Sequence, residues 1–487
     1  MSALARLRIS FYFSFGLVLC GCRHGESARL SGAGGTPALL YAGAAEVDIT
    51  PPIGFRMAGY FDERLATAVH DPLHAKALVL KQGGQEIALV VCDLVGVPLL
   101  VTTNARAQAS QATGIPISHI VIAGTHSHTG PLFSDVRSGT LHDAAVRKYG
   151  EDPHQTIDYP QFLIPHLVKV IVAAHSKLQP AELFAGVTKQ EGLTFNRRYW
   201  MKNGKVAFNP GQLNPNIVRP AGPTDTDVGV ILLTRPGTKQ PFAGLTTFAV
   251  HSDTVGGTEF SADYEYYLEQ TLKRRFGKDF VSVFGLGTCG DLNHIDVTKA
   301  DMLKGFPMAE HIGTTLGAAV IQESEQLLKE ARSRASGTFA VASTTIQVEL
   351  QDISPDQLAD ARAMSDKLAD PGTEFMRKVV AVKVLDLAVR GSTWPMEVQV
   401  FRLNSETALV CLPAEIFVEL GLAIKHASPF KNTIVLSICN DRPSYVPTEK
   451  AFKEGSYEVT NSRVKPGTGE KLVQTALELL NQVKPHG

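Results

Sequence analysis

The sequence predicts an α/β protein: a single large domain with a mixed central β-sheet flanked by helices. Three observations lead there. Apolar, β-rich runs alternate with helical patterns over most of the chain, as in a sheet covered by helices. Several runs, such as IALVVCD and VGVILLT, are continuous rather than alternating, so their strands are covered on both faces. Of the 487 residues 44% are hydrophobic and 20% charged, which supports one sizeable core and excludes a disordered or fibrous chain.

Strands are expected at Ala77–Leu80 and Ile87–Cys92, then a helix at Leu99–Ala112 and a strand at His119–Ala123. A helix at Gln161–Leu178 precedes strands at Val228–Thr234 and Leu245–Val250. Next come a helix at Asp263–Phe276, a strand at Phe280–Phe284 and helices at Met308–Ala331 and Pro355–Ala369. The last part carries strands at Val398–Leu403, Ala408–Leu412 and Thr433–Ile438, with helices at Glu415–His426 and Glu470–Val483. The Gly- and Pro-rich stretch Asn203–Thr226 is a long excursion, of the kind that carries function in compact domains. No internal repeat and no domain boundary shows after residue 38.

The first 22 residues form an address. Arg6 and Arg8 precede the apolar run Phe11–Leu19, too short to span a bilayer, and the segment ends in Leu-Cys-Gly-Cys. This resembles a lipoprotein processing site with Cys22 as the lipidated residue; an ordinary secretory signal is the alternative. Residues 23–38 then read as a flexible tether, and 39–487 as the folded domain. Both readings make the mature protein extracytoplasmic, the first anchoring it to a bacterial membrane surface. With 47 basic against 48 acidic residues there is no basic field for nucleic acid. Beyond the signal, Cys92, Cys289, Cys411 and Cys439 show no CxxC and no short Cys/His spacing, against a finger-type zinc site.

The chemistry lies at strand ends. HIVIAGTHSHTGP is a buried strand that stops in His126-Ser127-His128, and residues two apart in an extended chain share a face. Alone, this motif is as compatible with two loop histidines as with a metal site. LTTFAVHS ends in His251; a third strand leads into LPAEIF with Glu415; a fourth leads into NDRPSYVPT with Tyr445.

In this order GTHSHTGP, FAVHS, LPAEIF and SYVPT, with the opening AGAAEVDITPPIGFRMAG, resemble the catalytic domain of neutral (non-lysosomal) ceramidases over Tyr41–Val459. The resemblance implies the fold of that catalytic domain and hydrolysis of the N-acyl bond of ceramide, or of a related N-acyl lipid, by a zinc enzyme. It places one zinc on His126, His251, Glu415 and Tyr445, with His128 against the reacting carbonyl and Arg197, in FNRRYW, near the oxyanion. Such a ligand set with an open position suits water activation.

The chain departs from the family in four places. Ala414 and Pro447 stand where the family has Gly and Thr. The family's G-D-x-S-P-N segment, whose Ser is essential, reads GDLNHI here, so Asn293 and His294 replace Ser-Pro. The family's C-terminal β-sandwich has no counterpart within the sequence. The expected route is therefore direct attack by activated water, with Asp291 or the ligand carboxylate taking the proton and His294 as a further base. Asp93, which ends the run IALVVCD, is expected to orient a ligand histidine. A different amide or ester substrate, or a ligand-binding lipoprotein without turnover, are the competing readings.

Overall fold

The computed structural model describes residues 39–330 and 338–485. The signal, Cys22 and the tether lie outside them. The α/β architecture is built on three main sheets. The first contains β1 (Leu40–Asp48), β2 (His74–Gln82), β3 (Gln85–Cys92) and β4 (Ile120–Gly124), with Gln179–Pro180 added at the β1 edge. The second contains β5 (Glu182–Lys189), β6 (Asp227–Thr234), β7 (Pro241–Phe248) and β8 (Val281–Leu286). The third contains β9 (Ala340–Glu349), β10 (Thr393–Arg402), β11 (Thr407–Cys411) and β12 (Asn432–Leu436).

The longer helices among the described residues are, in order, α1 (Leu99–Thr113), α2 (Val136–Tyr149), α3 (Tyr159–Ser176), α4 (Tyr264–Phe276), α5 (Phe306–Glu330), α6 (Pro355–Met364), α7 (Phe375–Ala388), α8 (Val418–Ala427) and α9 (Thr468–Val483). Each sheet repeats one path. Its first three long strands run antiparallel, and a helix (α1, α4 or α8) then crosses over to a fourth strand parallel to the third. The repeat is one of topology, and no sequence similarity announces it.

Leu89 and Val121 of the first sheet, Leu233, Leu245 and Val283 of the second, and Leu409, Ile434 and Leu436 of the third share one apolar core. The outer faces are covered in turn: α1 and α3 on the first sheet, α4 and α5 on the second, α8 and α9 on the third. Strands buried on both faces explain the continuous apolar runs. Because the third and fourth strands of each sheet are parallel, their carboxyl ends emerge together, and hydrogen bonds tie these exits across sheets. Asn440 N–H donates to Ile122 O at 2.7 Å, Ser437 N–H to Leu286 O at 2.8 Å and Gly290 N–H to Ile416 O at 2.8 Å.

Several expectations need correction. β1 escapes the apolar criterion because it is built of small residues (AGAA), and β9 because most of its side chains reach solvent. α2 escapes because only Leu141 and Ala145 of it are buried. The excursion at 203–226 is not irregular: Val206–Phe208 and Ile217–Pro220 flank Arg198–Met201 in a small sheet. The helix expected from Glu415 begins at Val418, since Glu415–Ile416 pairs with Tyr445–Val446 as a two-residue parallel bridge. The helix from Pro355 ends at Met364 in a 3-10 turn.

Gly43 in β1 marks the closest packing of helix on sheet, where a Cβ would come 2.0 Å from the carbonyl oxygen of Ala174 in α3. Gly43→Ala is expected to lower stability by at least about 2 kcal/mol, since neither backbone can yield cheaply. Gly84→Ala, in a turn with open space, is expected to melt like the parent. Thermal denaturation of the two variants checks the pair.

Candidate metal centre

Four of the strand exits meet at one point. His126 follows β4, His251 follows β7, Glu415 follows β11 and Tyr445 follows β12. His126 Nε2 lies 3.0 Å from His251 Nε2, and Glu415 Oε2 lies 3.3 Å from the first and 3.5 Å from the second. The other ring nitrogens fix the tautomers. His126 Nδ1 donates to Val95 O at 2.7 Å and His251 Nδ1 to Cys289 O at 3.1 Å, so in the neutral rings each Nε2 presents a bare lone pair. Burial, with Arg197 nearby, pushes His251 down to about 4, which keeps it neutral.

Three acceptors therefore face one another in a buried space, and Glu415 Oε2 has no hydrogen-bond partner. One proton can bridge only one of the three pairs. A divalent cation satisfies all three, and donors about 2.0–2.1 Å from a tetrahedral ion lie about 3.3 Å apart. The donor set fits a metal ion. His128 joins the group, its ring 4.9 Å from that of His126 and 5.4 Å from that of His251. Its Nδ1 is buried without a partner, and burial holds it well below the ordinary histidine value.

The backbone at these exits is unusual. His126, Ala414 and Ser444 have φ of 71°, 72° and 81°, in the left-handed region. At Ala414 this costs an L-residue about 1 kcal/mol and favours the glycine that the resemblance places there. Such strain gathers where side chains must be aimed.

Tyr445 lies beside Glu415 in register, and its hydroxyl accepts from Arg197 at 3.1 Å. Arg197 itself is buried: Nε donates to Glu458 at 2.9 Å and a terminal nitrogen to Gly290 O at 2.8 Å. The structure thus brings Arg197 to the phenol, as a group that holds Tyr445. The Tyr457 ring, 5.6 Å from that of Tyr445, lines the same cavity of about 170 Å³ with His126, His128 and Glu415.

Three of the expected residues, Asp291, Asp93 and His294, face partners other than the donors. Asp291 does not face the donors: its Oδ1 accepts from Val418 N–H at the start of α8 and its Oδ2 from Asn196, so it caps a helix. Asp93 accepts from His74 N–H and faces Lys76; backbone carbonyls, not Asp93, hold the two Nδ1 atoms. Asn293 is buried and donates to Asn209, so no hydroxyl stands where the family has its Ser. His294 faces Asp253, Nδ1 to Oδ1 at 3.3 Å. Burial raises Asp253, but His294 outweighs it and holds it well below its ordinary value. Asp253 and Tyr457 were missed from sequence. Asp253 sits two residues after His251, the same spacing that drew attention to His128, whereas Tyr457 stands in a polar segment without a signal.

The sequence matches the family model for the neutral/alkaline non-lysosomal ceramidase N-terminal domain over residues 40–295. The chain belongs to this family. Among solved structures it resembles neutral ceramidase from Pseudomonas aeruginosa, at 18% identity and a TM-score of 0.68, covering 92% of this chain and 76% of that one. It equally resembles a ceramidase complexed with C2, at 17% identity, a TM-score of 0.68 and the same coverages. No curated protein matches the chain. The family match spans the two sheets that provide both histidines; Glu415 and Tyr445 come from the third, beyond it.

Behind His251 this ceramidase-like hydrolase buries a second polar network. Ser252 Oγ lies 2.8 Å from Thr125 O and 2.5 Å from Glu265 Oε1. The hydroxyl has one hydrogen, so with Thr125 O accepting it, Glu265 must be the protonated donor. Burial, with Asp263 nearby, pushes Glu265 well above its ordinary value of 4.5. The unfolded chain loses this proton near 4.5 while the folded chain keeps it, so this contribution is complete below 4.5 and declines as pH rises. Glu265→Gln, which keeps a donor, is expected to show a melting temperature that falls less between pH 5 and 8 than that of the parent, checked by calorimetry across that range.

Proposed function

We propose that the chain is a zinc-dependent amidohydrolase that cleaves the N-acyl bond of ceramide or a related N-acyl lipid by attack of activated water. The observation that carries this is the convergence of three candidate donors, His126 Nε2, His251 Nε2 and Glu415 Oε2, within 3.0 to 3.5 Å. Two imidazoles with a carboxylate suit zinc, and Tyr445 beside Glu415 is the fourth candidate ligand. When bound, the ion supplies Lewis acidity to the scissile carbonyl and acidifies water.

The remaining steps fall to this chain's own residues. Val95 O and Cys289 O fix both ligand rings, so nothing reorganises during reaction. His128, with an unpartnered Nδ1 at the cavity wall, hydrogen-bonds the carbonyl oxygen or passes a proton to the leaving nitrogen. Arg197 holds the Tyr445 hydroxyl toward Glu415 and places a buried positive charge beside the developing oxyanion. Asn293 offers no nucleophile, so no acyl group passes through that position.

His126→Ala and His251→Ala are each expected to lower zinc affinity more than about 100-fold, beyond the effect of losing an outer-shell partner, and to abolish fatty acid release from N-acyl substrates. Elemental analysis of purified, zinc-supplemented protein checks the first outcome, and a parent protein without stoichiometric metal would sink the proposal. Intact-mass analysis during turnover, with hydroxylamine as trap, is expected to show no acylated protein; an adduct would replace direct water attack by a covalent route. The buried amide at position 293 favours one second reading, a lipid-binding protein without turnover. A zinc-loaded chain that binds but cleaves no amide would select it.

A further inference from the structure

We propose that the cleft beside the metal centre takes an amide substrate bearing a carboxylate, which sits between Arg137 and Arg442. This rests on the hydrolase reading and narrows its substrate class. The cavity that opens on His126, His128 and Glu415 is lined by four arginines, Arg137, Arg390, Arg442 and Arg463, against three aspartates, Asp135, Asp386 and Asp441.

The pairing among them is uneven. Arg390 and Arg463 both meet Asp386, at 3.0 and 3.1 Å, and Arg463 directs further donors to Ser444 and Asn461. Asp441 accepts from the Leu99 and Arg442 N–H groups and from Trp394 Nε1. Asp135 is left to serve both Arg137 and Arg442, yet its Oδ1 accepts from Ser138 N–H as the cap of α2. Its Oδ2 lies 3.9 Å from Arg137 and 3.7 Å from Arg442, beyond hydrogen-bond distance. The two guanidiniums otherwise donate to the carbonyls of Tyr60 and Phe133, and Arg442 Nε is buried without a partner.

Two guanidiniums in a recess therefore share one carboxylate that neither reaches. A further carboxylate, with a geometry that matches the guanidinium fork, completes the set. Burial, with Arg442 adjacent, holds Arg137 below its ordinary value against the pull of Asp135, which is the mark of a cation short of anion. Phe61, Val136 and Val382 line the same cavity, and the Arg137 guanidinium stands 5.7 Å over the Phe61 ring. An acyl chain and an anion can thus bind side by side. A neutral two-chain lipid leaves the guanidiniums desolvated and unpaired, which costs affinity. The carboxylate can belong to the amine half of the substrate or to the far end of the acyl half, and both present the same anion.

The test uses the zinc-loaded full chain with two matched pairs: N-lauroylglycine against N-lauroylglycinamide, and the monoethylamide of dodecanedioic acid against N-ethyldodecanamide. Affinity is read by calorimetry and turnover as kcat/KM. In at least one pair the charged member is expected to bind about tenfold or more tighter, and that pair tells which half carries the anion. Arg442→Gln or Arg137→Gln is expected to bring the ratio toward one, while Arg137→Lys retains part of it. If Arg442→Gln does not fold, Arg137→Gln reads the same ratio. Ratios below threefold in both pairs, or a preference that survives both substitutions, overturn the inference. A charge preference without turnover of any amide sinks the hydrolase reading alone; turnover without preference sinks only the inference.

Discussion

The constraint on which this molecule depends is the mutual repulsion of three lone-pair donors brought within 3.0 to 3.5 Å of one another. Nothing in His126, His251 or Glu415 favours that approach, so the scaffold has to impose it. Rigid strands bring each residue to the point, left-handed turns at His126 and Ala414 aim the side chains, and backbone carbonyls clamp both rings. Asn440 and Gly290 then lock one sheet against the next through main-chain hydrogen bonds. The apolar core between the sheets supplies the free energy that holds this geometry in place.

Much of this was legible in the sequence. The strands buried on both faces announced themselves as continuous apolar runs, and four of the strands led into a residue with ligand chemistry, His126, His251, Glu415 or Tyr445. What the sequence concealed was the number of sheets. Pairing is a long-range property, and Val228–Thr234 looks the same whether it joins one sheet or another. β1 and β9 were invisible for opposite reasons, one being built of small residues against α3 and the other being largely exposed. At the site, the ligand types were readable, whereas Asp291 and Asp93 were not. An acid after a strand can cap a helix, bind a turn or orient a ligand, and only the fold decides. Asp291 caps α8, and Asp93 holds the turn at His74.

Two of the departures from the family, Asn293 and His294, stand side by side. His294 stands where the family has a proline, and it meets Asp253 just beyond the ligand His251. Asn293, next to it, is tied to Asn209 in the small sheet formed by the excursion at 203–226. The same excursion brings Phe208 to within 4.7 Å of the Tyr457 ring and under the Arg197 guanidinium.

The threefold repetition of one sheet topology has a consequence for how the protein comes into being. The first sheet contributes His126, the second His251, and the third Glu415 with Tyr445. The donors span most of the folded sequence, so the centre forms only after contacts between distant parts of the chain are complete. A nascent chain with two sheets in place has the imidazoles of His126, His128 and His251 but neither Glu415 nor Tyr445. The complete set of four side chains therefore marks the completion of tertiary assembly, because its last two members arrive only with the third sheet.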